Sequence, residues 1–366
     1  MRPGHIEPQQ YEALLAAKVE QVENIMQPLK HPEIHVFPSK PSHYRLRAEF
    51  RIWHDGDDLF HIMFDPTTKE RIRIDDFPIA DLRISTIMPV IIEELKSEPE
   101  LRHRIYQIDY LTGLSGELLI TFIYKRPLTD EWQHAAQALK QRLAAYAPID
   151  LIGRSRKQKI ELDRDYIIER LKIEERQLRY QQIENSFTQP NGEVNQHMLN
   201  WACCIAKHLS NDLLELYCGN GNFSLALAPY FNQVIATEIS RKSIRSAQYN
   251  CELNQITNVQ VLQMSAEDVS AALLQGSQLK KLDLATLKLN SVLVDPPRAG
   301  LDSATVKLVS RFNDIIYISC NPETLRQNLA ELDNTHTIER LAVFDQFPYT
   351  HHLECGVWLK KRSVKQ

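Results

Sequence analysis

Residues 213–230, LLELYCGNGNFSLALAPY, decide the fold class of this chain. A short apolar run leads into a loop with two glycines, and an apolar stretch of helical character follows the loop. Gly219 and Gly221 let the backbone turn sharply and approach a ligand closely, as a nucleotide-binding loop requires. The stretch therefore predicts a strand, a ligand-binding loop and a helix in succession.

The rest of the second half repeats this alternation of strand and helix. Four further apolar strands are predicted, and helix-like stretches separate them. Such alternation is typical of a doubly wound parallel sheet, in which ligands bind beyond the C-terminal ends of the strands. The predicted strands are VIATEI (234–239), VQVLQM (259–264), SVLVD (291–295) and IIYIS (315–319).

The first half has a different pattern. Apolar residues recur at helical spacing over residues 8–29, and apolar and polar residues then alternate in HYRLRAEFRIW (43–53), which predicts a half-buried strand. More strands and helices follow without a regular order, which favours an α+β domain. The 366 residues are more than one domain usually holds. We therefore predict an N-terminal α+β domain, with its leading helix, over residues 1–177 and a C-terminal α/β domain over residues 178–366.

Composition excludes several classes of protein. The chain is 43% hydrophobic and 25% charged, and no apolar run approaches the roughly 20 residues of a membrane helix. The N-terminus MRPGHIEPQQ lacks the apolar region of a signal peptide, so we expect a cytoplasmic protein without a membrane partner. The six cysteines form no C-x-x-C pair, so we expect free thiols and no metal site.

The charge pattern leaves nucleic-acid binding open. A net charge of −4 argues mildly against it, because phosphate contacts favour a basic surface. Two basic clusters oppose that average, and each is equally compatible with a solvated surface. The clusters are Arg45, Arg47 and Arg51, and Arg154, Arg156, Lys157 and Lys159.

Two residues near the loop bear on the cofactor. Glu238 closes the second strand, where a carboxylate accepts hydrogen bonds from ribose hydroxyls in nicotinamide and S-adenosylmethionine enzymes alike. Ser224 stands where the dinucleotide fingerprint has its third glycine, and the acidic Glu215 precedes the loop. These departures favour S-adenosylmethionine, which has no pyrophosphate to place at the helix N-terminus.

A cysteine and a carboxylate carry the predicted chemistry. Cys320 follows the fifth strand and precedes Asn321-Pro322, a helix N-cap and first helical residue, where the helix end favours a thiolate. Glu354 lies in an apolar, strand-like run, where a buried carboxylate is costly without a task or a partner. A thiolate that adds to carbon 6 of uracil activates carbon 5 toward a methyl donor, and a base then removes the carbon 5 proton.

Several motifs together resemble the RNA uracil-5-methyltransferase family, and the first half, SHYRLRAEFRIWHDGDDLFHI (42–62), is most similar to its bacterial tRNA branch. The resemblance implies a Rossmann-like class I methyltransferase domain behind an RNA-recognition domain. The remaining motifs are ENSFTQPN (184–191), LELYCGNGNFSLALA (214–228), VDPPRAGLD (294–302), YISCNPETL (317–325) and QFPYTHHLECG (346–356).

The resemblance also implies a substrate and a set of site residues. The substrate is the uridine at position 54 in the T-arm of tRNA, with transfer-messenger RNA as a further candidate and no obligate protein partner. Cys320 is the nucleophile and Glu354 the proton acceptor. S-adenosylmethionine is expected to contact Gln189, Tyr217, Asn222, Glu238 and Asp295.

Three alternatives remain open at this stage. One is a uracil methyltransferase that acts on ribosomal RNA, although the iron–sulfur cysteines usual there are absent from this sequence. The others are an NAD-dependent oxidoreductase, which leaves the cysteine and carboxylate unexplained, and a non-catalytic RNA-binding protein. The residues expected to be exposed for RNA contact are Arg45, Arg47, Arg51, Tyr106 and Tyr110.

Overall fold

A computed structural model describes residues 4–275 and 287–363 of the chain. The chain forms two compact units that alternate along the sequence. The first unit comprises Met1–Gln10, Lys40–Leu171 and Gln181–Glu193, and the second comprises Tyr11–Ser39, Lys172–Tyr180 and Val194–Gln366. The domain boundary after residue 177 stays a prediction.

The helices and strands have the following bounds. The helices are α1 (Tyr11–Met26), α2 (Leu82–Ser97), α3 (Pro99–Arg102), α4 (Asp130–Leu143), α5 (Gly192–Ala206), α6 (Asn222–Leu227), α7 (Arg241–Leu253), α8 (Ala266–Gln275), α9 (Ser303–Val309) and α10 (Pro322–Leu332). The strands are β1 (Ile34–Phe37), β2 (Arg47–Asp55), β3 (Asp58–Phe64), β4 (Arg71–Ile74), β5 (Ile105–Thr112), β6 (Leu118–Tyr124), β7 (Ile149–Ser155), β8 (Gln158–Glu161), β9 (Tyr166–Ile173), β10 (Arg176–Ile183), β11 (Asp212–Leu216), β12 (Val234–Glu238), β13 (Val259–Gln263), β14 (Leu289–Val294), β15 (Asp314–Ser319), β16 (His336–Phe344) and β17 (Glu354–Lys361).

The first unit is built on a mixed sheet. In the described part of the chain this sheet has seven strands in the order β4-β3-β2-β5-β6-β7-β8, and only β6 and β7 pair in parallel. The alternation predicted around β2 is present, since Ala48, Phe50 and Ile52 are buried. They join the apolar faces of α2 and α4 in one core. This arrangement confirms the α+β expectation.

The second unit contains the doubly wound sheet. Within residues 4–275 and 287–363 the sheet has eight strands in the order β1-β16-β17-β15-β14-β11-β12-β13. The strands predicted from the sequence, β11 to β15, pair in parallel with one another. The sequence did not predict the direction of β17, which runs antiparallel to both β15 and β16. A short connection from β16 to β17 produces that reversal.

Two N-terminal elements belong to this second unit. Strand β1 pairs in parallel with β16 at the edge of the sheet. Helix α1 buries Tyr11, Lys18, Val22 and Met26, which lie on one face at helical spacing. No helix in the described ranges has both the length and the apolar character needed to cross a lipid bilayer.

Candidate active site

The loop after β11 has the strained geometry that its glycines predict. Tyr217, Gly219 and Gly221 have φ values of 63°, 56° and 84°, and Gly221 caps helix α6. A Cβ atom on Gly221 would lie 2.7 Å from Leu225 Cδ1, whereas one on Gly219 would meet no atom within 4 Å. The loop therefore needs glycine at 221 for packing and leaves open space beside Gly219, as a nucleoside cradle requires.

Glu238 is fixed against this loop. Its Oε2 accepts a hydrogen bond of 3.1 Å from Gly219 N, and its Oε1 accepts bonds of 2.8 Å from the backbone N–H groups of Ile239 and Ser240. The carboxylate thus lies beside the open space at the C-terminal end of β12, the usual place for a ribose contact. That contact itself stays a prediction.

The other predicted cofactor residues differ in their surroundings. The side chains of Asn222 and Asn195 exchange two hydrogen bonds of 3.0 and 2.9 Å, which hold Asn222 at the start of α6. Tyr217 is partly buried next to the loop glycines. Gln189 is a partly buried residue of the first unit, so its cofactor contact stays a prediction.

Glu215 is a buried residue that precedes the loop and bonds to helix α6 after it. It is 1% exposed and accepts a hydrogen bond from the Ser224 hydroxyl, so the serine that replaces the third fingerprint glycine has a structural partner. Burial, opposed by this hydrogen bond and reinforced by Asp295, raises the pKa of Glu215 to about 8. Glu215 is therefore a buried acid behind the loop.

The turn after β14 presents Asp295 and Arg298. Burial raises the pKa of the Asp295 carboxyl to about 7. The Arg298 carbonyl accepts hydrogen bonds from Asn321 Nδ2 at 3.1 Å and Thr324 Oγ1 at 3.2 Å, which tie this turn to the start of α10. The two prolines at 296 and 297 stiffen the same turn.

Cys320 lies where the sequence predicts it, between β15 and α10. Asn321 caps the helix by accepting a 3.1 Å hydrogen bond from Glu323 N, and Pro322 is the first helical residue, so the predicted cap is confirmed. The helix end favours a thiolate, as predicted, but the surroundings of the sulfur act in the opposite direction. Burial, and then the nearby Glu354 and Asp295, raise the pKa of the Cys320 thiol to about 11, although Arg298 acts in the opposite direction.

Glu354 is brought beside Cys320 by the antiparallel strand. Ser319 of β15 pairs with Cys355 of β17. Because the two strands are antiparallel, Cys320, which follows Ser319, is brought beside Glu354, which precedes Cys355. Glu354 is 7% exposed, and burial together with Asp295 raises the pKa of its carboxyl to about 8, against the effect of Arg298. The sequence identified both residues but not the strand direction that joins them.

These groups form an acidic cluster, defined here as Glu215, Asp295, Cys320 and Glu354. Burial, and after it Asp295, raises the pKa of each of the other three, so the cluster holds protons that exposed acids would lose. Arg298 is the cation that acts on Cys320 and Glu354. A positively charged ligand would lower these pKa values and stabilise the ionised cluster. The cluster therefore fits the sulfonium of S-adenosylmethionine.

The loop of residues 345–353 leads into Glu354, and its contacts with Arg298 and Lys18 were not predicted from the sequence. In this loop the His352 ring lies 2.9 Å from Arg298 Nη2 and 4.0 Å, between centroids, from the His351 ring. Among the described residues, no group of three or more His, Cys, Asp and Glu side chains could hold a metal ion. A cavity of about 260 Å³ opens beside Cys320 and is lined by Lys18, Val22, Arg298, Asn321, His352 and others. The sequence signal for this cavity was Lys18, a charged residue within the apolar face of α1.

Some of the residues predicted to contact RNA are buried or already bonded to other residues of the protein. Tyr110 is fully buried, and its hydroxyl lies 2.9 Å from His61 Nε2, so its assignment as exposed is wrong. Arg45 donates to the Arg47 carbonyl at 2.9 Å, and Arg47 pairs with a neighbouring glutamate. In the second basic cluster carboxylates engage two members, Arg154 through Glu184 and Lys159 through Glu161 and Asp165.

Comparisons with known proteins agree with these motifs. The family described as tRNA (Uracil-5-)-methyltransferase matches residues 10–362. A tRNA/tmRNA (uracil-C(5))-methyltransferase of Yersinia enterocolitica is 53% identical over 368 residues, which cover 99% of this chain and 100% of the relative. A protein of the same description from Salmonella paratyphi B is 52% identical over 366 residues, again 99% of this chain and 100% of the relative.

A solved structure shares the fold. It is the Pyrococcus abyssi tRNA (uracil-54, C5)-methyltransferase in complex with S-adenosyl-L-homocysteine. The TM-score is 0.71 at 22% identity, and the match covers 95% of this chain and 83% of that chain. The likeness confirms the predicted Rossmann-like architecture, and the sequence matches confirm the family that the motifs predict. The chain belongs to the tRNA (uracil-5-)-methyltransferase family.

Proposed function

We propose that this chain transfers the methyl group of S-adenosylmethionine to carbon 5 of the uracil at position 54 in the T-loop of tRNA. The observation that carries the proposal is the pairing of Cys320 with Glu354 at adjacent strand ends within an acidic cluster. One residue is a nucleophile and the other a base. The acidic cluster around them suits a sulfonium methyl donor.

The reaction assigns one task to each side chain. Cys320, as a thiolate, adds to carbon 6 of uracil and makes carbon 5 nucleophilic. The bound cofactor supplies the electrophilic methyl group. Glu354 then removes the carbon 5 proton, the carbon 5–carbon 6 double bond forms again, and the bond to sulfur breaks. A base whose pKa is raised toward neutrality by burial is suited to that step.

The cofactor would be held by residues on both sides of the strand ends. Glu238 is placed for the ribose, and Tyr217 and Asn222 border the loop beside Gly219. Asp295 is the member of the acidic cluster that raises the pKa of the other three. Gln189 completes the set carried over from the family resemblance.

An aromatic and basic surface on the first unit is proposed to take up RNA. The Arg51 guanidinium lies 3.9 Å from the centre of the Tyr106 ring, and Lys125 Nζ lies 3.8 Å from it. These residues line a cavity of about 650 Å³ together with Trp53 and Phe64, which are 38% and 49% exposed. Unstacked RNA bases bind to such aromatic and guanidinium planes, and the charges attract phosphates.

Arg51 has a further property that supports this role. Its Nη1 is buried and has no hydrogen-bond partner among the described residues. A buried donor without a partner is costly, and a movement of the guanidinium toward an incoming phosphate or base oxygen would satisfy it. We extend the proposal to transfer-messenger RNA, which the descriptions of the relatives name, and to a cytoplasmic location, where both RNAs are used.

The test uses tRNA that contains 5-fluorouracil. Fluorine cannot leave carbon 5 as a proton, so the methylated nucleotide should stay bonded to Cys320. We expect a protein–RNA band on a denaturing gel only when S-adenosylmethionine is present. Mass spectrometry of the digested complex should place the nucleotide on the peptide that contains Ser319-Cys320-Asn321.

Matched variants and substrates make the result decisive. Cys320→Ala should form no band, whereas Cys204→Ala, which alters an exposed cysteine, should behave as wild type. A tRNA with cytosine at position 54 should also give no band. Attachment at another cysteine would overturn the catalytic assignment. Attachment to ribosomal RNA in preference to tRNA would overturn the substrate assignment.

A further inference from the structure

Lys18 is a buried lysine on the apolar face of α1. The residue is 8% exposed, and Val22 and Met26 on the same face are buried in the core of the second unit. Burial of an ammonium group is unfavourable unless acceptors replace its water. Burial lowers the pKa of Lys18, and the Asp345 carboxylate raises it again. Lys18 therefore occupies a position that favours an apolar residue.

The acceptors of Lys18 all lie in the loop before Glu354. We call residues 345–353, which join β16 to β17, the base loop. Lys18 Nζ forms an ion pair with Asp345 and donates to the carbonyl oxygens of Phe347 at 3.1 Å and His352 at 2.9 Å. The ammonium group thus binds the beginning and the end of the loop at once.

The base loop is held by α1 at a second place as well. The rings of Tyr11 and Tyr349 lie 6.0 Å apart, and the Tyr11 hydroxyl accepts a 2.7 Å hydrogen bond from Ser39 N. Leu353, the last residue of the loop, is 3% exposed. Helix α1 therefore contacts the base loop at several points just before the chain enters β17.

We infer that Lys18 is a positioning residue for Glu354, through its three contacts with the base loop. This inference rests on the proposed function, in which Glu354 removes the carbon 5 proton. Cys320 also has anchors outside the base loop, since Asn321 caps α10 and bonds to the Arg298 carbonyl. Loss of Lys18 should therefore leave thiolate addition and methyl transfer largely intact and slow proton removal.

The step that slows has a direct readout. Glu354 takes the carbon 5 proton, the electrons of that C–H bond form the carbon 5–carbon 6 double bond, and the carbon 6–sulfur bond breaks to return the thiolate. If Glu354 is displaced, the methylated RNA remains bonded to Cys320. A general loss of structure would reduce adduct formation as well and would not accumulate this species.

The experiment compares Lys18→Met with wild type on unmodified tRNA and S-adenosylmethionine. We expect kcat to fall by about tenfold to a hundredfold, because a displacement of about 1 Å in a catalytic group costs up to about a hundredfold. A denaturing gel should show the methylated protein–RNA adduct accumulating, as in Glu354→Gln. Lys30→Met, the same change at an exposed lysine, should match wild type.

A second variant separates positioning from stability. Lys18→Met alone leaves the Asp345 carboxylate buried without its cation, so the double variant Lys18→Met/Asp345→Asn removes both charges and should fold more stably. It should still accumulate the adduct. Turnover at the wild-type rate, or equal loss of adduct formation and release in the folded double variant, would overturn the inference. Failure of Glu354→Gln to accumulate adduct would instead overturn the proposed function.

Discussion

The acidic cluster predicts that affinity for the cofactor depends on pH. In the free protein burial raises the pKa of the Asp295 carboxyl to about 7, so half of the molecules carry its proton at that pH. A sulfonium cation stabilises the carboxylate form, so binding releases the proton and lowers the Asp295 pKa. Affinity for S-adenosylmethionine should therefore increase steeply with pH up to about 7 and more slowly above it.

The magnitude follows from the ionised fraction of Asp295. At pH 6 about a tenth of the carboxyls are ionised, and at pH 5 about a hundredth, so Kd for the cation should increase about tenfold per pH unit below 7. Glu354 and Glu215, whose pKa values are raised to about 8, extend the dependence toward higher pH. S-adenosylhomocysteine has the same nucleoside and amino-acid groups but no sulfonium charge. Its Kd should change much less.

Isothermal titration calorimetry from pH 5.5 to 8 measures both ligands. Performed in two buffers with different ionisation enthalpies, it also counts the protons released from Asp295, which should be about three-quarters per S-adenosylmethionine near pH 6.5 and closer to one at pH 6. Asp295→Asn should weaken binding and remove most of the slope. Parallel curves for the two ligands in the wild-type protein would refute the electrostatic argument.

Three further perturbations test other parts of the structure. Gly221→Ala places a Cβ atom 2.7 Å from Leu225 at a φ of 84°, so urea unfolding should show a loss of about 1–3 kcal/mol together with weaker cofactor binding; an unchanged midpoint would contradict the packing argument. Asn321→Ala removes the cap of α10 and should cost about 1 kcal/mol in the same assay, whereas wild-type stability would mean that the cap contributes little. Neutralising the exposed Arg156 and Lys157 should reduce the salt dependence of tRNA binding by nearly one logarithmic slope unit per lost phosphate contact, and an unchanged slope would make them a solvated surface.

Local sequence patterns predicted the features that depend on neighbours along the chain. The turn at Gly219 and Gly221 follows from backbone preference, and the cap at Asn321 follows from the chemistry of helix ends. The direction of β17 depends on pairing with β15 and β16, which no local pattern encodes. The assignment of α1 to the second unit likewise depends on long-range contacts, of which the buried pair Lys18–Asp345 is one.

The protonation of Cys320 shows why the local argument was insufficient there. A helix N-terminus stabilises a nearby anion by about 0.3–1 kcal/mol, which is less than one pKa unit. Burial and the carboxyl groups of Glu354 and Asp295 act together in the opposite direction and raise the pKa of Cys320 to about 11. The groups contributed by other strands therefore outweigh the helix end.

This protonation has a consequence for the order of events in the proposed reaction. A cysteine that were a thiolate in the free protein would add reversibly to any uracil that entered the site, whether or not a methyl donor was present. With a pKa near 11 the thiol is not yet nucleophilic at neutral pH. A cation bound beside Asp295 lowers the pKa of the cluster, so the thiolate becomes accessible when the donor is in place. The antiparallel strand that brings Glu354 to Cys320 thus supplies the base for the last step and also helps to enclose the sulfur, whose burial is the largest cause of the raised thiol pKa.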